Sequence, residues 1–175
     1  MKLGEKAADF VLKGVDEKNY SLSSFSEAKV LVIIFSCNHC PYVKAYEDRM
    51  IEIQRDYQNR KVQIVAINSN DSVGYPEDSF EEMVKRSQGK GFNFPYLHDR
   101  EQTVAQAYHA THTPHLFVFD SERKLTYTGK IDDNWENSAL VQKRYLRDAL
   151  DDLSAGKPLR LPETHAIGCT IKWKR

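Results

Sequence analysis

Lys29–Ser36 (KVLVIIFS) is an almost unbroken run of apolar and β-branched residues. In a strand, neighbouring side chains point to opposite faces, so a run that is apolar at every position predicts a strand covered on both sides. Val62–Asn68 (VQIVAIN) predicts a second buried strand. Between them, Val43, Tyr46, Met50, Ile53 and Tyr57 share one stripe at helical spacing, predicting a long helix over Tyr42–Tyr57. Upstream, Asp9–Leu12 and Tyr20–Leu22 flank a polar stretch containing Gly14, which predicts an N-terminal hairpin.

Downstream, Asn70–Pro76 reads as a loop, and Asp78 as the cap of a helix carrying Phe80, Met83 and Val84. Gly89-Lys90-Gly91 ends that helix, Phe94–His98 is a short extended piece, and Thr103–His109 is a brief helix. His115–Asp120 and Lys124–Gly129, joined by Ser121-Glu122-Arg123, predict an antiparallel pair. A last helix is expected over about Ser138–Leu153, burying Leu140, Val141, Tyr145, Leu146, Ala149 and Leu150 before Gly156 and Pro158 stop it. The order predicts an α/β sandwich: one domain over residues 1–175, with a central mixed sheet flanked by helices. The tail, residues 155–175, regains apolar character at Ile167, Ile171 and Trp173, which a disordered segment rarely carries, so it is expected to dock on the domain.

Charge excludes some functions. Lys and Arg (25) balance Asp and Glu (25), so no net field recruits nucleic acid or a membrane surface. No apolar run approaches the roughly 20 residues that span a bilayer. Met1–Lys6 has no apolar segment behind it to act as a signal, so a cytoplasmic setting is expected, with the periplasm open if a leader has been removed.

The chemistry concentrates in Cys37-Asn38-His39-Cys40, directly after the first buried strand. Pro41 is tolerated only in a helix's first turn, so the helix is expected to start near Cys37, where unpaired N–H groups favour a thiolate. Cys40, three residues on, falls on the same face within reach of a disulfide. A protonated His39 adds positive charge beside Cys37, lowering its pKa and making the couple more oxidising. Inert buried thiols are one alternative. Zinc held by Cys37, His39, Cys40 and Cys169 is another, weakened because structural zinc sites usually pair two such hooks. No metal and no cofactor is expected.

Asp9-Phe10 before a hairpin, an apolar strand ending in C-x-x-C, and Thr113-Pro114 before HLFVFD together resemble the peroxiredoxin-like (AhpC/TSA, redoxin) branch of the thioredoxin superfamily, over about Gly4 to Leu153. CNHCPYVKAYEDR with a C-terminal GCTIKW is similar to bacterial thioredoxin-family proteins labelled peroxiredoxin-like or thiol-disulfide isomerase. CNHC is also similar to the Cys-Pro-His-Cys of bacterial disulfide oxidases. The resemblance implies a thioredoxin-like sandwich with an N-terminal hairpin extension and a thiol-disulfide oxidoreductase. Cys37 is then the attacking thiol, Cys40 the resolving one, and Pro114 a cis proline facing them, with Thr113 beside the substrate. The implied partners are a disulfide-bearing protein or small molecule and a cellular dithiol reductant.

Three positions depart from the family patterns. Ser36 stands where thioredoxins have Trp, and Leu31 where they have a buried Asp. The peroxidatic Pro and Thr/Ser positions, counted back from Cys40, hold Ile33 and Cys37, which weighs against a thiol peroxidase. A non-catalytic redox or metal sensor is the third function considered. His112 and His115 flank Pro114 and are read first as surface or capping residues. Cys169 is a candidate third redox cysteine, expected to pair with Cys37.

Overall fold

In the computed structural model, which describes residues 1–175, the N-terminal hairpin pairs β1 (Leu12–Gly14) with β2 (Asn19–Tyr20). β3 (Val30–Ser36), α1 (Pro41–Tyr57), β4 (Val62–Asn68), α2 (Phe80–Lys90), β5 (Tyr96–His98) and α3 (Thr103–Tyr108) follow. β6 (His112–Thr113), β7 (His115–Phe119), β8 (Leu125–Gly129), α4 (Tyr145–Ser154) and β9 (Cys169–Thr170) complete the chain. Seven strands form one sheet in the order β2-β1-β5-β4-β3-β7-β8. β3–β4 and β4–β5 are parallel and the other pairs antiparallel, so the sheet is mixed, as expected of a thioredoxin-like fold. β6 and β9 form a separate two-stranded ribbon.

The continuous apolar run in β3 has the expected cause: every residue is buried. Val32 and Ile34 face Tyr46, Met50 and Ile53 of α1 and Leu146 and Leu150 of α4. Leu31, Ile33 and Phe35 face the other layer, with Val104 and Tyr108 of α3 and the N-terminal Phe10. Each such side chain stabilises the fold by about 2 kcal/mol. The cysteine motif therefore hangs from the C-terminal end of the best-buried strand. No helix is long and apolar enough to cross a membrane.

Two boundaries differ from expectation. α1 begins at Pro41, not near Cys37; Cys40 is the N-cap, with extended backbone at φ −67°, ψ 126°. The proline ring disfavours helical backbone in the residue before it, which stops the helix one residue short of the motif. α4 begins at Tyr145, and Ser138–Leu140 is an isolated 3-10 turn whose Leu140 is exposed. The Asp133 and Asn137 side chains accept from the Gln142 and Ala139 backbone N–H groups, an alternative to helical pairing that holds this segment as a loop.

The tail docks. Thr128 N donates to Pro162 O and Thr164 N to Thr128 O, beside β8. Further on, Ile171 N donates to Thr111 O, and Ile171 is buried in the core layer of α3. Gln102 Nε2 donates to Lys172 O at 2.9 Å, and Asp71 N donates to the same carbonyl at 2.7 Å.

Candidate active site

β3 delivers the chain to the turn Cys37–Cys40, and α1 carries it away. Cys37 is 1% exposed and Cys40 0%, and with Cys169 they are free thiols. Thr113 joins them: its Oγ1 lies 3.6 Å from Cys37 Sγ, and its carbonyl oxygen lies 3.4 Å from Cys40 Sγ. The Thr113–Pro114 bond is cis, matching the resemblance. Cys169 also reaches the site, but its sulfur sits 2.8 Å from Cys40 Sγ, so its neighbour is Cys40 and not the expected Cys37.

The electrostatics follow from the helix start. Cys40 occupies the cap, and its pKa is lowered to about 4: the Cys37 thiol donates to it, as do the Cys169 thiol and the backbone N–H groups of Val43 and Cys169, against the opposing effect of burial. Cys37, expected to be the acidic thiol, is pushed up by the adjacent Cys40, by burial and by the charge of Asp78. Burial and Cys40 raise Cys169 to about 11. Both shifts favour an anion on Cys40 over one on Cys37. Ultraviolet thiolate absorbance of the reduced protein should show this. A group with a lowered pKa stays ionised until the pH falls through that value, so one thiolate should persist down to about 4. Cys40→Ser should abolish that acid step; its survival would place the anion elsewhere.

Asp78 is a functional residue the sequence concealed. It was expected to cap α2, but Ser79 does so, accepting from Glu82 N at 3.3 Å. Asp78 is fully buried: Oδ1 accepts from Asn38 N (2.8 Å) and Asn68 Nδ2 (3.2 Å), and Oδ2 from Asn70 Nδ2 (3.0 Å). His39 Nδ1 lies 2.7 Å from Oδ2, and its ring stacks on Tyr75. Asn38 is held further by Tyr96 O–H, which donates to its Oδ1 at 2.7 Å, and by Glu77 O, which accepts from its Nδ2. With Leu31 in β3, the buried carboxylate beside the cysteine turn comes instead from the loop after β4. Spacing offers no signal for it, because Asp78 lies 40 positions from Asn38, which it anchors.

His39 reaches the site, but the contact its ring makes is with the Asp78 carboxylate. Cys37 Sγ, a His39 ring nitrogen and an Asp78 oxygen fall within 4.8 Å of one another, a trio capable of metal ligation. Both Asp78 oxygens already accept amide N–H groups, however, and two of the four zinc ligands considered from sequence, Cys40 and Cys169, lie outside the trio. His115 turns to the backbone, its Nδ1 accepting from Thr111 N, and burial lowers its pKa to about 4. His112 Nδ1 contacts Thr111 Oγ1. His115 thus caps a backbone N–H, one of the two roles expected, while His112 meets only a side-chain hydroxyl.

Comparison with known proteins places this arrangement. The thiol-disulfide oxidoreductase ResA of Geobacillus thermodenitrificans is 28% identical over 70% of this chain, and the chain spans 66% of that relative, just under two thirds of its length. A solved structure of an uncharacterized conserved protein from Geobacillus kaustophilus is 42% identical, with a TM-score of 0.94 over 99% of this chain and 93% of that one. A putative thiol:disulfide interchange protein DsbE from Chlorobium tepidum shares the fold at 22% identity, with a TM-score of 0.63 over 73% of this chain and 84% of that one. The AhpC/TSA family model matches residues 3–128, from the N-terminal segment through β3, the cysteine turn and the cis proline to β8. With that match over most of its length, the chain belongs to the AhpC/TSA family.

Proposed function

We propose that the chain is a thiol-disulfide oxidoreductase whose redox couple is Cys37 and Cys40, acting on disulfides of proteins or small molecules. The observation that carries this is the pair of buried thiols at the start of α1, both beside Thr113 and its cis bond to Pro114. Cys37 is the sulfur that forms the mixed disulfide with substrate, and Thr113 Oγ1 stabilises its anion when one forms. Cys40 then attacks Cys37 Sγ, the Cys37–Cys40 bond forms, and the substrate sulfur leaves as a thiolate. The substrate gains two electrons and the pair loses them; a cellular dithiol returns them by attacking Cys37. In that return step Cys40 leaves as a stabilised anion, and a low-pKa thiolate is the better leaving group.

Stabilising the reduced form makes the couple more oxidising. His39 and Asp78 flank the pair as tuning residues, and Thr113 and Pro114 face the substrate. The relatives' names support the reaction class. A cytoplasmic setting belongs to the same reading, since reducing pools keep such cysteines as thiols.

With dithiothreitol as reductant, the protein should turn over the disulfides of insulin. Cys37→Ser should lower that rate about a hundred-fold or more, to background, because the mixed disulfide loses its sulfur. Consumption of hydroperoxide at a comparable rate, without insulin reduction, would make the chain a thiol peroxidase instead.

A further inference from the structure

We propose that the C-terminal tail is an internal substrate strand, and that Cys169 is a third redox thiol which exchanges with Cys40. This rests on the reading of Cys37 and Cys40 as a redox couple. A disulfide partner must bring its sulfur beside Thr113, the residue both cysteines touch. The backbone edge there is already taken. β9 pairs antiparallel with β6, His112 facing Thr170 and Thr113 facing Cys169, which sets the Cys169 sulfur 2.8 Å from Cys40 Sγ.

Three further observations make this a built arrangement. The tail is fastened on both sides of Cys169, to β8 through Thr164 and to the Thr111, Asn70 and Gln102 region through Ile171–Lys174. Gly168 lies so close to β6 that a Cβ there would stand 2.1 Å from the Thr113 carbonyl oxygen, so the approach requires glycine. Cys40 is fully covered while the tail is seated, yet Cys169 remains partly exposed.

The step is a thiol-disulfide exchange with no net oxidation. Starting from the Cys37–Cys40 disulfide, the Cys169 sulfur attacks Cys40 Sγ. The Cys40–Cys169 bond forms and the Cys37–Cys40 bond breaks. Cys37 keeps the electron pair and takes up the proton that Cys169 released. The largest cause of Cys37's raised pKa, the adjacent Cys40 anion, is absent once Cys40 is bonded, so Cys37 can leave. A closed disulfide has sulfurs about 2.05 Å apart, a small approach from the contact already present. The product locks the tail across the substrate edge and returns Cys37 as a thiol.

The test uses the full-length Cys37→Ser variant, oxidised with diamide and mapped by mass spectrometry of non-reduced peptides. The expected result is a Cys40–Cys169 bridge within the monomer. Cys40 and Cys169 that both remain alkylatable, or bridges only between molecules, would overturn the proposal. Oxidised wild type provides a second reading that needs no substitution at the turn: it should contain the Cys40–Cys169 bridge alongside Cys37–Cys40. Cys169→Ser separates the two levels, because it should still form Cys37–Cys40. Failure there would instead overturn the reading of the redox couple.

Discussion

Gly168→Val is expected to unseat the C-terminal tail and raise the alkylation rate of Cys37 and Cys40 in the reduced protein. The Cβ of any larger residue meets the Thr113 carbonyl oxygen at 2.1 Å and its carbon at 2.7 Å, and both are backbone atoms that no rotamer change can move aside. Overpacking of this kind costs about 1–3 kcal/mol. Each 1.4 kcal/mol shifts an equilibrium about ten-fold, so the open population, and with it the labelling rate, should rise roughly ten- to a hundred-fold. The anchors at Thr164 on β8 and at Ile171 in the core layer of α3 lie outside the strained Gly168–Thr113 contact, so the domain should keep its melting temperature within a few degrees. Unchanged labelling would mean that the tail does not gate access to the two sulfurs.

Asp78→Ala should be the most destabilising single change at the site. It strips the acceptor from the Asn38 backbone N–H and from the Asn68 and Asn70 side chains, all buried, and removes the carboxylate beside His39. Each buried donor left unpaired costs about 1–3 kcal/mol. Allowing for partial relaxation, the loss should be roughly 3–5 kcal/mol, the range seen when one member of a buried charged network is removed. Denaturant unfolding measures it directly: a midpoint shift without a change in slope reports stability alone. A loss below about 1 kcal/mol would show that water replaces the carboxylate freely.

Much of the fold could be read from local pattern, because burial on both faces leaves a plain trace in sequence. Val30–Ser36 and Val62–Asn68 are strands for that reason, and α1 buries each of the five stripe residues assigned to it. The errors arose where a polar side chain competes with the backbone or a neighbour restricts it. Pro41 governs Cys40, and Asp133 with Asn137 unravels the start of the last helix. The Cys37–Cys40 turn, proposed as the redox pair, stood out because its spacing is itself chemical information. Asp78 was not legible, since its place depends on three donors that folding brings together from the cysteine turn, the end of β4 and the loop after it. Cys169 was half legible: the apolar residues around it announced docking, but only the β6–β9 register decides which sulfur it meets.

Fastening the tail on both sides of Cys169 also sets the terms on which any outside molecule competes. Even a flexible tether holds its group at an effective concentration of about millimolar. A strand already paired to β6 far exceeds that, so a free disulfide must evict a resident competitor before it meets either sulfur. Under the proposed reaction, the apparent KM for a substrate then contains the cost of that eviction. Selectivity follows from it: extended, strand-forming chains that restore the lost backbone pairing at Thr113 are favoured over compact low-molecular-weight disulfides, which cannot.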